Sequence, residues 1–172
     1  MKMRSKIATK PYYFFYPGNI NTKTGGYIYE KNILDYANQI NFKISKIALS
    51  SNYPFPNDND LNDLKKKITE LPLDAILIFD GLILESLRPI IDDLKDYKII
   101  ALIHHPLFLE FKGNISNNFL KSGKYIFKII NHFVVTSKDT KKLLEKKFNV
   151  IGKKIEVVEP GIERLKKYKK KE

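Results

Sequence analysis

The sequence predicts an α/β protein with one doubly wound domain, in which a mostly parallel sheet of about six strands lies between helices. Two short apolar runs, residues 74–79 (DAILIF) and 98–103 (KIIALI), are typical of strands that are buried on both faces of such a sheet. Helical patterns separate the strand patterns, as they do in βαβ units. The chain has 172 residues, of which 43% are hydrophobic, and no compositional linker divides it, so a single domain is expected.

The strands are expected where β-branched, aromatic or alternating residues lie between turn signals. The first, YYFFY, ends at Pro17-Gly18, and the second, FKISKIAL, alternates between apolar and polar side chains. The later strands end at an Asp-Gly pair, at a His-His-Pro run, at a serine and at a Glu-Pro-Gly turn. The predicted strands are residues 12–16, 42–49, 74–79, 98–103, 133–136 and 154–158.

Apolar residues at helical spacing predict the helices between these strands. The helix at residues 27–40 carries such a stripe at Ile33, Tyr36, Ala37 and Ile40. Ser137 is expected to cap the helix after the fifth strand, because a serine oxygen accepts hydrogen bonds from the first N–H groups of a helix. The predicted helices are residues 27–40, 61–71, 82–87, 89–94, 116–130 and 138–148, and together with the strands they predict a Rossmann-like domain at residues 12–163.

Positive charge is concentrated in the later part of the chain. The whole chain has 31 Lys and Arg against 19 Asp and Glu, a net charge of +12, and residues 112–172 alone contribute +11. That part is suited to anionic lipid headgroups or nucleic acid, although a chain rich in Asn, Ile and Lys is also what an AT-biased genome encodes. Residues 1–11 are expected to be a basic leader, and residues 164–172 a solvated basic tail.

The sequence contains neither cysteine nor a recognisable membrane signal. Without cysteine, a disulfide framework and a thiolate metal site are both excluded. No apolar run approaches the roughly 18 residues of a transmembrane helix, and the start of the chain has no secretory apolar core. We expect a cytoplasmic location, and the basic charge is compatible with peripheral binding at the inner face of the membrane.

Two adjacent histidines, His104 and His105, follow the fourth predicted strand and precede Pro106. The carboxyl ends of strands in open α/β sheets are where ligands bind, so these imidazoles are candidate site residues. Adjacent residues on an extended segment point in opposite directions, and a metal ion would need further ligands, so no metal site is predicted. Two interpretations stay open: a structural hydrogen bond at the sheet edge, or a ring that binds a sugar or a diphosphate. Which ring faces the cleft is undecided, because a register slip of one residue exchanges their directions.

Further candidates lie at the ends of other predicted elements. Gly25 and Gly26 lie between a strand and a helix. Either their free backbone N–H groups bind a phosphate at the start of the helix, or they only allow a tight turn between the two elements. Asp80 ends the third strand and either contacts acceptor hydroxyls or closes an Asx-turn. Glu110 is a candidate general base, a cap or a partner for a lysine. The candidate catalytic residues are His104, His105 and Glu110, and the candidates for substrate or phosphate binding are Gly25, Gly26, Asp80 and Ser137.

Three segments occur in a characteristic order: TGGY at 24–27, LIHHPLFLE at 102–110, and VVTSKDTKKLL…FNVIGKKIEVVEPGIE between 134 and 163. In this order and spacing they resemble the N-terminal, acceptor-side domain of GT-B glycosyltransferases, and most of all glycosyltransferase family 4. The resemblance implies that Gly25 and Gly26 lie in the cleft near the donor diphosphate and the acceptor. It also implies that His104 or His105 lies beside the transferred sugar.

The resemblance implies transfer of a glycosyl group from a nucleotide-diphosphate sugar to an acceptor hydroxyl, without a metal or another cofactor. A GT-B enzyme binds its donor mainly through a second Rossmann-like domain, and this sequence ends at Glu172, where the linker to that domain is expected. We therefore expect either the acceptor-side half of a transferase, with the donor-binding half on a separate chain, or an inactive truncated fragment. The expected partners are a sugar acceptor, which the basic charge suggests is lipid-linked, and a donor-domain chain or a second copy of this chain.

A non-catalytic basic α/β module that binds anionic membrane or another polyanion is the alternative interpretation. Its motivation is the charge of +11 in residues 112–172. No recognised nucleic-acid-binding module occurs in the sequence, so nucleic acid is not the expected partner.

Overall fold

The structure is a computed structural model that describes residues 10–161, so most of the predicted leader and all of the predicted tail lie outside the described residues. Six strands form one sheet, in which every neighbouring pair is parallel. The strands are β1 (Tyr12–Pro17), β2 (Ile44–Leu49), β3 (Ile76–Asp80), β4 (Lys98–Ile103), β5 (His132–Val135) and β6 (Ile155–Val157). Their order in the sheet is β2-β1-β3-β4-β5-β6, and helices flank the sheet, which confirms the predicted fold class.

Helices connect consecutive strands, as the βαβ pattern predicts. They are α1 (Gly25–Gln39), α2 (Asp58–Thr69), α3 (Gly81–Leu84), α4 (Ile91–Leu94), α5 (Gly113–Ile129) and α6 (Lys138–Phe148), with short 3-10 helices at Glu85–Ile90, Leu107–Leu109 and Gly152–Lys154. The predicted bounds of β4 and α6 are those observed. Helix α1 begins two residues earlier than predicted, because the Thr24 side chain caps it by accepting a hydrogen bond from the Tyr27 N–H. Among the described residues, no helix has the length and apolar character needed to cross a bilayer.

The two faces of the sheet carry two separate cores, because successive strand residues point to opposite sides. Phe15, Phe79 and Phe133 belong to the larger core, against which α2 to α6 pack. Phe14 and Leu102 belong to the smaller core, which α1 covers with Tyr29 and Leu34. The domain is therefore wound on both faces, and within residues 10–161 the face that carries the smaller core is covered by one helix, α1.

The buried face of α1 differs from the predicted stripe. Tyr36 and Ile40, which were expected to be buried, are 62% and 56% exposed. The buried side chains of the helix are Tyr29, Glu30, Leu34 and Ala37. Each residue turns a helix by about 100°, so a small rotation about the helix axis is enough to replace part of an apolar stripe with its neighbours. The contact with the sheet selects a face that includes one carboxyl group, Glu30.

The order of the strands places a crevice between β1 and β3. From β1 the chain passes to β2 on one side, whereas β3, β4, β5 and β6 follow on the other side. At such a topological switch point the connections leave neighbouring strands in opposite directions, and a crevice opens at the carboxyl ends of the strands. The fold therefore predicts a ligand site above the ends of β1 and β3.

Candidate functional site

A cavity of about 650 Å³ lies at this switch point, at the carboxyl ends of β3 and β4 and beside the N-terminus of α1. Six of the seven predicted site residues line it: Gly25, Gly26, Asp80, His104, His105 and Glu110. The seventh, Ser137, is not among the lining residues, although its neighbour Thr136 is. Residues that are up to 85 positions apart in the sequence thus meet in one cleft, because the parallel sheet brings the ends of its strands together.

His104 is the most firmly held residue of the cleft. Its carbonyl oxygen accepts hydrogen bonds from the Thr136 and Thr140 hydroxyl groups, at 3.1 and 3.0 Å. Its ring packs edge-on against the Tyr29 ring, with 5.3 Å between the centroids. The ring nitrogen Nε2 lies 3.4 Å from Oε1 of Glu30. Burial lowers the pKa of His104, and the Asp80 carboxylate opposes this shift.

Two carboxyl groups form the floor of the cleft. Glu30 is 1% exposed and Asp80 is 2% exposed. Asp80 caps α3 by accepting a hydrogen bond from the Leu82 N–H at 2.8 Å, so the predicted Asx-type turn and the predicted cleft position are both observed. Burial raises the pKa of Glu30 to about 7. Burial, and then the negative charge of Glu30, raise the pKa of Asp80 to about 8. Near neutral pH this floor therefore holds at least one proton, because two close carboxylates cannot both ionise readily.

His105 and Glu110 form a second pair at the rim of the same cleft. Nε2 of His105 contacts Oε1 of Glu110, so the partner of Glu110 is a histidine and not a lysine. The side chains are 51% and 37% exposed. Both histidines line the cavity, but only the His104 ring reaches its floor.

Gly25 and Gly26 are the first two residues of α1, and their N–H groups have no partner within the helix. A Cβ atom at Gly26 would lie 3.3 Å from both Cδ2 and Nε2 of His104, whereas a Cβ atom at Gly25 would meet nothing within 4 Å. Gly26 is therefore needed for the close approach of α1 to the His104 ring. Gly25 leaves open space at the mouth of the cleft.

Ser137 has the capping role that the sequence predicts. Its hydroxyl oxygen accepts a hydrogen bond from the Thr140 N–H at 3.0 Å, and α6 begins at the next residue. Thr140, held by this cap, in turn donates its hydroxyl group to the His104 carbonyl oxygen. Ser137 therefore acts on the site by fixing the start of α6.

A third buried carboxyl group, Glu85, lies behind the loop that carries His105 and Glu110. Burial raises the pKa of Glu85 to about 8, although hydrogen bonding to the backbone of Glu85 itself and of Leu107 opposes the shift. Leu107 follows the His-His-Pro run directly. The contact links the segment after β3 to the segment after β4, and so supports the rim of the cleft.

The cleft is lined by carboxyl, imidazole, hydroxyl and aromatic groups, and its lining within residues 10–161 includes no lysine and no arginine. Tyr27 and Tyr29 supply two of the aromatic rings. Burial, together with the Asp80 and Glu30 charges, raises the pKa of Tyr27 to about 12, so its hydroxyl group stays protonated and donates to the Pro17 carbonyl oxygen at 2.6 Å. No group of three His, Asp or Glu side chains in the described part of the chain is arranged to hold a metal ion. Such a lining can exchange hydrogen bonds with hydroxyl groups and pack against the apolar face of a ring.

Sequence reasoning missed Glu30, Tyr27, Tyr29 and Thr136, which also line the cleft. Glu30 follows Gly26 by four residues, so both lie on the same face of α1. The four-residue spacing from Gly26 could have shown that Glu30 faces the cleft. The apolar stripe that was assigned to α1 did not include Glu30. Glu30 is nevertheless the nearest charged partner of His104 that the structure describes.

Comparison with known proteins adds no family to this picture. No protein-family model matches the chain, and a search of the curated proteins finds no match either. The assignment of function must therefore rest on the residues of the cleft and on the fold that positions them.

Proposed function

We propose that this domain is the acceptor-side part of a glycosyltransferase, and that its cleft binds a sugar hydroxyl group during transfer from a nucleotide-diphosphate sugar. The observation that carries the proposal is the meeting of the TGGY and HHPLFLE segments with Asp80 in one cleft at the topological switch point. The TGGY and HHPLFLE segments belong to two of the three stretches on which the resemblance to family 4 glycosyltransferases rests. Their convergence is what the resemblance requires of the fold.

The chemistry of the lining supports the acceptor and the sugar over the diphosphate as the ligand of this domain. Glu30, Asp80 and Glu110 are carboxyl groups, and the described lining offers no cationic side chain apart from the histidines when protonated. Carboxylates accept hydrogen bonds from sugar hydroxyls but repel a diphosphate. The free N–H groups of Gly25 and Gly26 supply the anion-binding element that remains at the mouth. Most of the contacts with the diphosphate would then come from a second domain, on this or another polypeptide.

His104 is the residue that we expect to contact the reacting sugar. It is held by two threonine hydroxyls and by Tyr29, which is the rigid support that an orienting group requires. His105 and Glu110 lie at the more exposed rim and would contact the acceptor. The proposal places the reaction in the cytoplasm, and the basic charge of residues 112–172 favours a lipid-linked acceptor at the membrane surface.

Saturation-transfer NMR on the full chain tests the proposal. The probes are methyl glycosides of glucose, galactose, mannose and N-acetylglucosamine, together with UDP-glucose, GDP-mannose and free UDP. We expect at least one glycoside, or the sugar ring of a nucleotide sugar, to receive saturation and to shift the imidazole signals of His104. Free UDP or inorganic phosphate that binds more tightly than every sugar would contradict the proposal, as would the absence of any sugar binding.

Cosedimentation with vesicles distinguishes the alternative function, a non-catalytic module for anionic surfaces. Vesicles of phosphatidylglycerol and of phosphatidylcholine are compared at low and high salt, with the wild-type chain and with His104→Ala. Binding to phosphatidylglycerol that salt abolishes and His104→Ala leaves unchanged, together with no sugar binding, would favour that module. Sugar binding that His104→Ala removes would favour the transferase cleft.

A further inference from the structure

Glu30 is a carboxyl group whose position the proposed function does not explain. Its side chain is fully buried, and it lies between the polar cleft and an apolar groove of about 360 Å³ on the α1 face of the sheet. Oε1 faces Nε2 of His104 at 3.4 Å. Oε2 is buried and has no hydrogen-bond partner within the described residues. A buried carboxyl oxygen without a partner is costly, so the position points to a role that offsets the cost.

The surroundings of His104 determine which ring nitrogen Glu30 contacts. Gly26 lies against the Cδ2 and Nε2 side of the ring, and Tyr29 packs against the ring edge-on. The backbone of His104 is held through its carbonyl oxygen by Thr136 and Thr140. Nε2 is therefore directed towards α1. The hydrogen bond of the ring to Glu30 uses Nε2, so we infer that Nδ1 is the nitrogen that meets a ligand in the cleft.

We propose that Glu30 is a positioning residue that binds Nε2 of His104 and leaves Nδ1 to contact the ligand, as an acceptor when Glu30 is ionised and as a donor when Glu30 is protonated. In the ionised state the Nε2–H group donates to Oε1 of Glu30, and Nδ1 carries no proton. Addition of one proton gives the second state, in which the Glu30 hydroxyl group donates to Nε2 and the ring proton is on Nδ1. The carboxyl group thus selects the tautomer of the imidazole.

The charged and titratable groups around this pair favour a change of state near neutral pH. From α1, Tyr27 and Tyr29 face the pair, and from the end of β3, Asp80 does. Within the described residues neither Glu30 nor Asp80 forms an ion pair with a lysine or an arginine. Burial raises the pKa of Glu30 to about 7, and hydrogen bonding with the Asp80 side chain opposes this shift. Both states are accordingly populated in the physiological range.

For the ligand, the two states have opposite consequences. An unprotonated Nδ1 accepts a hydrogen bond from a sugar hydroxyl, whereas Nδ1–H donates one to a sugar oxygen. The contact of Nδ1 with a sugar rests on the proposed function, whereas the selection of the His104 tautomer by Glu30 in the free protein does not.

Long-range proton–nitrogen NMR on the full chain, labelled with ¹⁵N-histidine, tests the inference. The chain has three histidines, and His105→Gln and His132→Gln assign the signals of His104. We expect His104 to be the Nε2–H tautomer at pH 9, and its Nδ1 to gain a proton when Glu30 binds its proton as the pH falls through about 7. In Glu30→Gln this step should be lost, leaving only the imidazolium step below pH 6.5.

Glu110→Gln is the matched control, because Glu110 contacts His105 and not His104. It should alter the signals of His105 and leave the step at His104 in place. An Nδ1–H tautomer of His104 at pH 9 in the wild-type chain would overturn the inference, and this measurement needs no variant. Persistence of the step in Glu30→Gln would overturn it too. If the step is present but no sugar binds, the proposed function fails and the role of Glu30 stands.

Discussion

His104 and His105 are adjacent in the sequence, and each faces a glutamate, but the two pairs occupy different environments. Glu30 is fully buried and 74 residues from His104 in the sequence, whereas Glu110 is 37% exposed and five residues from His105. Water screens the exposed pair and permits it to separate, whereas Glu30 is fully buried and the His104 side chain is 24% exposed, so water competes less with their contact. Of these two pairs, only Glu30 and His104 on the floor of the cleft can hold an imidazole ring and its proton in a defined arrangement.

The largest expected difference between the pairs is in the dependence of stability on pH. The folded pKa of Glu30 is raised from 4.5 to about 7, so the folded state binds the proton more tightly than the unfolded state, and its stability contribution is lost as the pH rises through this range. Glu30→Gln cannot ionise, so the variant does not lose stability in this way as the pH rises. At pH 8.5 it should be more stable than the wild-type chain by on the order of 3 kcal/mol, with little difference near pH 5.

Urea denaturation at pH 5, 6.5 and 8.5 measures this effect. The comparison of variant and wild type at each pH is needed, because Asp80 and Glu85 have raised pKa values that act in the same direction. His104 acts oppositely, since its lowered pKa makes its contribution fall as the pH drops below 6.5. Glu110→Gln should show no such pH-dependent difference. Parallel stability curves for Glu30→Gln and the wild-type chain would contradict the prediction.

The next largest difference is expected in ligand binding. His104→Ala should weaken binding of the sugar probe by roughly tenfold to a hundredfold, because it removes the imidazole ring that packs on Tyr29 and faces Glu30 at the floor of the cleft. His105→Ala should weaken it by less than about fivefold, since its ring is half-exposed and water replaces its contacts. Titration monitored by NMR gives both dissociation constants. Equal losses for the two variants would show that the rim and the floor do not differ in function.

A smaller effect separates the two glycines at the start of α1. Gly26→Ala brings a methyl group to 3.3 Å from the His104 ring and should push the ring from Glu30, at a cost of about 1 kcal/mol. Gly25→Ala meets open space and should be neutral or slightly stabilising, because alanine favours a helix. Thermal unfolding and the ¹⁵N signals of His104 provide the two readouts. A Gly26→Ala chain with unchanged His104 signals would show that the close packing does not position the ring.

The smallest effect is expected for the coupling within the exposed pair. A double-mutant cycle with His105→Ala and Glu110→Ala should give a coupling energy below about 1 kcal/mol, as is usual for exposed ion pairs. The same cycle with His104→Ala and Glu30→Gln should give a larger value, because Glu30 is fully buried and has no water to replace its partner. Similar coupling in both cycles would remove the distinction between the pairs.

Much of the fold was predictable because its signals are local. The apolar run of β4 and the Ser137 cap of α6 were placed at the observed positions, since a buried strand and a helix cap each leave a pattern within a few residues. The candidate site was also largely predictable, because parallel topology brings strand ends together. Asp80 and His104, for example, were assigned to the same sheet edge, and both line the cleft.

The predicted buried face of α1 was only partly right, because Ala37 is buried and Ile33 packs on the smaller core but the other two residues of the stripe are exposed. The reason for the difference lies outside the helix. Tyr36 and Ile40 fit an apolar stripe but are exposed, whereas Glu30 is buried. The packing of Tyr29 and Leu34 on the sheet determines which face of α1 is buried, and it places Glu30 against His104. A periodicity within the helix carries no information on such partners, so it did not show that Glu30 belongs to the buried face.

The sequence by itself determined the order of strands and helices and the position of two histidines at the end of β4. Tertiary structure alone decided that His104 faces Glu30, that Asp80 lies beside them, and that both carboxyl groups are buried. Local patterns act through backbone geometry over a few residues. Burial and proton affinity instead depend on which distant groups exclude water from a site, and only the folded chain defines those.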